Sequence, residues 1–233
     1  MSLLRRGKRV LIGIGCFLVL CGLLTKPIHG ATPTPCRKHD NSEKKIALTF
    51  DDGPHKTYTA EILDILDEYG IKATFFVIGS NVERYPELIK RAWADGHEIG
   101  NHTYSHPHLT NIEADTLYRE MVETENILID MLEYRPKLFR PPEGFYSQTV
   151  STTLERLDYI PILWTVDTMD WKKPTADRIA KTVMDHTEAG VIILCHDFVS
   201  GKSNTPAALR IFIPKLLEQG YQFVTVSELL MSE

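Results

Sequence analysis

The 233-residue chain has no glycine-rich phosphate fingerprint, no tandem repeat, no disulfide framework and, beyond its first 31 residues, no block of Lys or Arg. Each absence removes a class. Without the fingerprint a doubly wound nucleotide-binding fold loses its main support. Cys16 and Cys21 lie in an apolar N-terminal run, Cys36 in a polar stretch and Cys195 in a second apolar run, so the four cysteines form no staple pattern. The net charge of −5 averages two unlike pieces. Residues 1–31 hold Arg5, Arg6, Lys8, Arg9 and Lys26 and no acid, which leaves 21 basic against 31 acidic residues, or −10, for the body. An acidic body without a basic patch is a poor partner for nucleic acid or anionic lipid and accommodates neutral or cationic substrates more easily.

At the N-terminus, basic residues precede Val10 to Leu24, a run of fifteen uncharged residues. A membrane span usually needs about 20, so residues 1–30 read as an export signal, with a retained N-terminal anchor as the alternative. Either way the body is expected to work outside the cytoplasm, secreted or tethered to the outer membrane face, touching the membrane through this segment alone. Residues 31–45, with Pro33 and Pro35 and no apolar period, read as a linker. A folded domain is expected over 46–233.

From Ile46 short apolar runs alternate with amphipathic segments. Strands are expected at Ile46–Phe50, Ala73–Ile78, Glu98–Gly100, Lys137–Arg140, Ile160–Val166, Val191–Cys195 and Gln222–Thr225. Helices are expected at Tyr58–Tyr69, Pro86–Asp95, Glu113–Leu132, Ser147–Leu157, Thr175–Glu188 and Pro206–Gln219, with a last turn at Ser227–Leu230. Strands alternating with helices imply α/β architecture with a parallel sheet, here a distorted barrel of seven to eight strands.

The unusual polar residues follow the strands: Asp51 and Asp52, His102 and His106, Arg140 to Gly144, Asp167 to Trp171, and His196 with Asp197. In a parallel barrel these strand ends share one rim, where catalytic groups gather. Taken alone, Asp51-Asp52-Gly53-Pro54 is a polar turn and two histidines four apart are structural or exposed. Together, Asp52, His102 and His106 offer two imidazoles and a carboxylate with positions left open, the donor set of a catalytic divalent ion. Asp51 is placed to act as base towards a water, and His196 as acid towards a leaving amine, oriented by Asp167. Arg140 cannot deprotonate and would hold Asp51 ionised, unless Arg140 and Asp167 are only an ion pair at the barrel mouth. His108 reads as a rim residue, His186 as a helix-end residue, and Cys195, next to His196 in a strand, as core on the opposite face.

Thr49-Phe-Asp-Asp-Gly-Pro54, His102-Thr-Tyr-Ser-His106, Arg140-Pro-Pro-Glu-Gly144, Asp167-Thr-Met-Asp-Trp171 and Leu194-Cys-His196 resemble, in order, the five motifs of the NodB-type polysaccharide deacetylases, carbohydrate esterase family 4. The resemblance runs from Ile46 to Leu230. It implies a distorted barrel and a divalent metal, with zinc the first choice and cobalt or another divalent ion the alternative, held by Asp52, His102 and His106. It further implies Asp51 as general base, His196 as general acid, Asp167 as the partner of the acid and Arg140 as the partner of the base. Trp171 resembles the family's aromatic wall, and Pro142 and Glu143 fall where the third motif meets the sugar, Glu143 standing where a tyrosine is common. The implied reaction is removal of N-acetyl groups from a glycan by a monomer, with peptidoglycan N-acetylglucosamine first, then chitin oligomers or acetylxylan. A non-catalytic glycan-binding barrel and a cytoplasmic amidohydrolase for small molecules are the rivals from other classes.

Overall fold

The first strand sets the architecture through its period of two. In Lys45–Asp51 (β1), Ile46, Leu48 and Phe50 join the cluster beneath the helices, while Ala47 belongs to a second cluster on the other face. Successive side chains of a strand point to opposite faces, so Thr49 and Asp51 share the inner face with Ala47. A computed structural model describes residues 33–39 and 43–232. The segment read as an export signal or anchor lies outside the described residues, and none of the described helices is long and apolar enough to cross a membrane.

Along the chain β1 is followed by α1 (Tyr58–Glu68), β2 (Thr74–Val77), α2 (Gly79–Arg84), α3 (Pro86–Ala94), β3 (Glu98–Asn101), α4 (Ala114–Leu132) and β4 (Leu138–Phe139). Then come α5 (Gln148–Leu157), β5 (Ile160–Pro161), β6 (Val166–Asp167), α6 (Ala176–His186), β7 (Ile192–His196), α7 (Thr205–Glu218), β8 (Gln222–Val224) and α8 (Val226–Leu230). The strands are parallel in the order β5-β4-β3-β2-β1-β7-β6, with β8 added to β1. The two end strands, β5 and β6, follow one another in the chain, so the curled sheet is a barrel left open between them. Helix starts are capped where the sequence offers a hydroxyl: Ser147 accepts from Val150 N–H, Thr175 from Arg178 N–H, and Thr225 forms a capping box with Glu228.

Three features depart from the periodic reading. The expected strand Ile160–Val166 is broken into β5 and β6, because in between Leu163 N–H donates to Cys36 O (2.7 Å) instead of to a strand neighbour. The described part of the stretch read as a linker, 33–39, is thereby laid on the barrel: Cys36 N–H donates to Pro161 O at 2.9 Å and His39 N–H to Gly190 O at 3.0 Å. Helix α2 has six residues, fewer than two turns, too few to show a 3.6-residue period.

Candidate active site

Asp51 closes β1 on its inner face, and β7 runs beside β1 with Asp51 opposite His196. The same alternation that turns Asp51 inward turns His196 inward and Cys195 outward, where Cys195 is buried in the helix-side core. Next to Asp51, across β2, Phe76 lies on the inner face against Gly100 of β3; a Cβ at Gly100 would come within 2.5 Å of the Phe76 ring. The guanidinium of Arg140, just past β4, stacks 4.1 Å from the centre of the Phe76 ring.

Arg140 is wholly buried. Its Nη1 donates to Asp51 Oδ1 and to Thr49 Oγ1, each at 2.7 Å, while Nε and Nη2 reach the carbonyls of Ile162 (3.3 Å) and Leu163 (3.2 Å). Burial pushes its pKa below the ordinary arginine value, and the charge of Asp51 offsets only part of that. Asp51 Oδ1 is thus committed to Arg140, and Oδ2 faces the histidines, 3.9 Å from His102 Nε2.

His102 Nδ1 lies 2.6 Å from the carbonyl oxygen of Arg140. A carbonyl only accepts, so Nδ1 carries the proton and Nε2 presents a lone pair. Asp52 Oδ1 stands 3.4 Å from His102 Nε2 and 3.4 Å from His106 Nε2. That oxygen is buried and has no hydrogen-bond donor, a costly state for a carboxylate unless something else fills the space. Two ligands at about 2.0–2.1 Å from one tetrahedral ion stand about 3.3 Å apart, so the three residues fit a divalent cation. They are the one such group of histidine and carboxylate ligands among the described residues. Burial pushes Asp52 up, but His102, His196 and His106 hold it below its ordinary value. Asp52 and His106 have φ of +74° and +56°, a region that non-glycine residues enter at a cost and that clusters at functional sites.

The carboxylate expected to orient His196 is a different one. His196 Nδ1 pairs with Asp170 Oδ1 at 2.7 Å, and Asp170 Oδ2 accepts from His196 N–H (2.8 Å) and Thr205 Oγ1 (2.7 Å). Asp170 is buried at the head of a 3-10 turn, Asp170–Lys172, that folds back under β7. Asp167 pairs across to Leu194, two residues short of His196, and its carboxylate accepts from Met169 N–H at 2.8 Å. Burial drives the His196 imidazole down; the hydrogen bond and charge of Asp170, with Asp51 and Asp52, overcome it and lift it to about 9.

These groups open into a cleft of about 480 Å³ lined by Asp51, Asp52, His102, His106, Glu143, Trp164, Asp167, Trp171, Leu194 and His196. Trp171 is half exposed. Pro142, expected at the sugar, is buried in the short turn Pro142–Gly144, and Glu143 lines the cleft in its place. Glu143 Oε1 pairs with the exposed His108 at 3.1 Å, which sets His108 on the rim and away from the Asp52 cluster. Trp164 is not singled out by the sequence, and Leu194 enters there only as the first residue of the fifth motif. The signal for Trp164 was Gly144: a Cβ there would come within 2.7 Å of the indole.

The sequence between residues 38 and 162 matches the family model described as polysaccharide deacetylase. A peptidoglycan-N-acetylglucosamine deacetylase of Bacillus cereus is 42% identical over 192 residues, 82% of this chain and 90% of its own. The crystal structure of the Bc1960 peptidoglycan N-acetylglucosamine deacetylase superposes with a TM-score of 0.81 at 36% identity, covering 84% of this chain and 92% of that one. A family 4 acetyl xylan esterase from Clostridium thermocellum, solved with a cobalt ion, superposes at 0.75 with 38% identity over 79% of this chain and 89% of that one. The similarity extends through sequence, fold and most of both chains, and the chain belongs to the polysaccharide deacetylase family of hydrolases.

Proposed function

We propose that the protein removes N-acetyl groups from the N-acetylglucosamine of peptidoglycan, outside the cytoplasm, with zinc held by Asp52, His102 and His106. The supporting observation is the unpartnered Asp52 Oδ1 facing two imidazole nitrogens, with Asp51 and His196 side by side at its edge. Zinc, when bound, polarises a carbonyl and makes water a better nucleophile at neutral pH.

Asp51 takes the proton of the attacking water on Oδ2, the oxygen that Arg140 leaves free, while Arg140 keeps the carboxylate ionised and fixed. The backbone N–H of Glu143 donates to the oxygen on which negative charge develops. His196, with Nδ1–H committed to Asp170, presents Nε2 to the departing nitrogen and protonates it. Acetate and a free amino sugar leave. Trp171, Trp164 and Leu194 supply apolar surface for the faces of the sugar ring. The residues at 1–30 are read as exporting the domain or tethering it beside the wall, and the enzyme as a monomer.

The test is acetate release from peptidoglycan, chitin oligomers and acetylxylan in parallel, after metal removal and again with zinc restored. Release from peptidoglycan that zinc restores is expected. The likeness to an acetyl xylan esterase supports ester cleavage as a second reading, and release from acetylxylan alone would establish it. Glycan binding with no acetate from any of the three would make the protein a non-catalytic binder.

A further inference from the structure

The catalytic cleft has a neighbour. Asp167 forms part of its wall and also part of the wall of a second cavity, of about 460 Å³, bounded by β6, the Asp170–Lys172 turn and α6. Met169, Lys172, Pro174, Arg178 and His186 line this cavity, and Asp167 is its sole carboxylate. In a body that carries −10, two permanent cations and an imidazole thus face one small space.

Their charge is not spent within the fold. Among the described residues neither Lys172 nor Arg178 forms an ion pair, whereas Lys181, one turn further along the same helix, is held by Asp185 at 2.6 Å. Lys172 Nζ lies 4.7 Å from the centre of the Trp171 ring, which itself lines the catalytic cleft, so Lys172 stands where the two cavities meet. His186 Nδ1 donates to the Thr182 carbonyl at 2.8 Å, fixing the ring and leaving Nε2 as its second polar atom. Asp167 accepts from Met169 N–H and occupies the junction itself. Unpaired Arg and Lys beside an apolar floor suit a carboxylate carried on a larger group, through charge-assisted hydrogen bonds.

We propose that this cavity is a subsite for a carboxylate borne by the sugar next to the one that is deacetylated, recognised by Lys172 and Arg178. The inference rests on the deacetylase reading and sharpens it. In peptidoglycan the neighbouring sugar carries a lactyl group that ends in a carboxylate or a peptide; chitin has no such group. The cavity therefore selects between two substrates that present the same N-acetyl group to the same catalytic residues.

Titration calorimetry tests this with a peptidoglycan tetrasaccharide bearing free lactyl carboxylates and with chitotetraose, in an Asp51→Asn background that stops turnover. The peptidoglycan fragment is expected to bind more tightly than chitotetraose. Lys172→Ala and Arg178→Ala should each weaken it about threefold to fivefold, the range of a solvent-exposed charge contact, and added salt should narrow the gap between the two glycans. Chitotetraose affinity should not move. Equal affinity for the two glycans, or equal losses for both in the variants, overturns the subsite. Acetate release from the peptidoglycan tetrasaccharide by the unaltered, zinc-loaded protein is followed separately; its absence counts against the deacetylase reading, while the calorimetric comparison still judges the cavity.

Discussion

Replacing Asp170 by Asn, with Asp167→Asn as its control, asks which carboxylate governs His196. Asp170 uses both oxygens on His196, one on Nδ1 and one on the backbone N–H, and shares the second with Thr205. An amide has one acceptor oxygen, so at least one of these contacts is lost, and the imidazolium loses its adjacent negative charge. The His196 pKa of about 9 should then fall towards the ordinary value near 6.5, a change of about 3 kcal/mol at 1.36 kcal/mol per unit. At pH 7 the protonated fraction drops from about 99% to about a quarter, roughly fourfold on that account. The freedom of the ring to adopt the wrong tautomer should cost more, on the order of a hundredfold to ten-thousandfold in turnover. The His196 titration is read by NMR in metal-free protein and acetate release by a pH series with zinc present. Stability should shift as well. A pKa raised on folding contributes stability that is complete below about 6.5 and disappears as pH rises to about 9, and Asp170→Asn should flatten that window. An unmoved His196 titration in Asp170→Asn, or an equal shift in Asp167→Asn, would refute the reasoning.

Other perturbations separate the remaining roles. His102→Ala should lose the metal, whereas Asp51→Asn and His196→Ala should keep it and lose turnover; metal content by plasma emission decides, and equal metal loss in all three would remove the assignment. Arg140→Met leaves Asp51 buried beside no counter-charge and should cost about 3–5 kcal/mol in urea unfolding at neutral pH. Asp197 is buried, accepts from Thr59 Oγ1 at 2.6 Å and leaves Oδ1 without a donor. Burial pushes it up to about 7, so the wild type should lose stability as pH rises from about 4 to about 7. Asp197→Asn should remove that slope, and thermal melts across this range that stay parallel for the two proteins would show the assignment to be wrong.

Much of the site is legible because strand geometry is simple. Apolar residues at 46, 48 and 50 leave 47, 49 and 51 for the other face, and the same rule sends His196 inward and Cys195 outward. The helices from Tyr58, Ala114 and Thr205 show their apolar stripes over enough turns to be read. What failed to show depends on path, not period. Asp167 and Asp170 are three residues apart at one strand end, and only the 3-10 turn between Asp170 and Lys172 decides which reaches the imidazole. Residues 33–39 carry no apolar period, because what binds them to the barrel is backbone hydrogen bonding through Cys36 and His39 together with isolated side-chain contacts, Cys36 against a buried apolar cluster and Lys38 on Glu188, that form no periodic pattern.

The misread carboxylate also explains how one cleft can hold so many acids. Asp51, Asp52, Asp167 and Asp170 lie within one rim, and like charges left together in water-poor surroundings would repel one another strongly. Each is given a separate counterpart: Arg140 for Asp51, the two histidines for Asp52, the Met169 N–H for Asp167, and His196 with Thr205 for Asp170. The consequence is functional. A base that must stay ionised and an acid that must stay protonated sit opposite each other on adjacent strands, and their states are kept apart by Arg140 behind one and Asp170 behind the other. Exchange of either backing residue for a neutral one should therefore narrow the pH range of turnover from one side only: Arg140 variants from the acid side, Asp170 variants from the alkaline side.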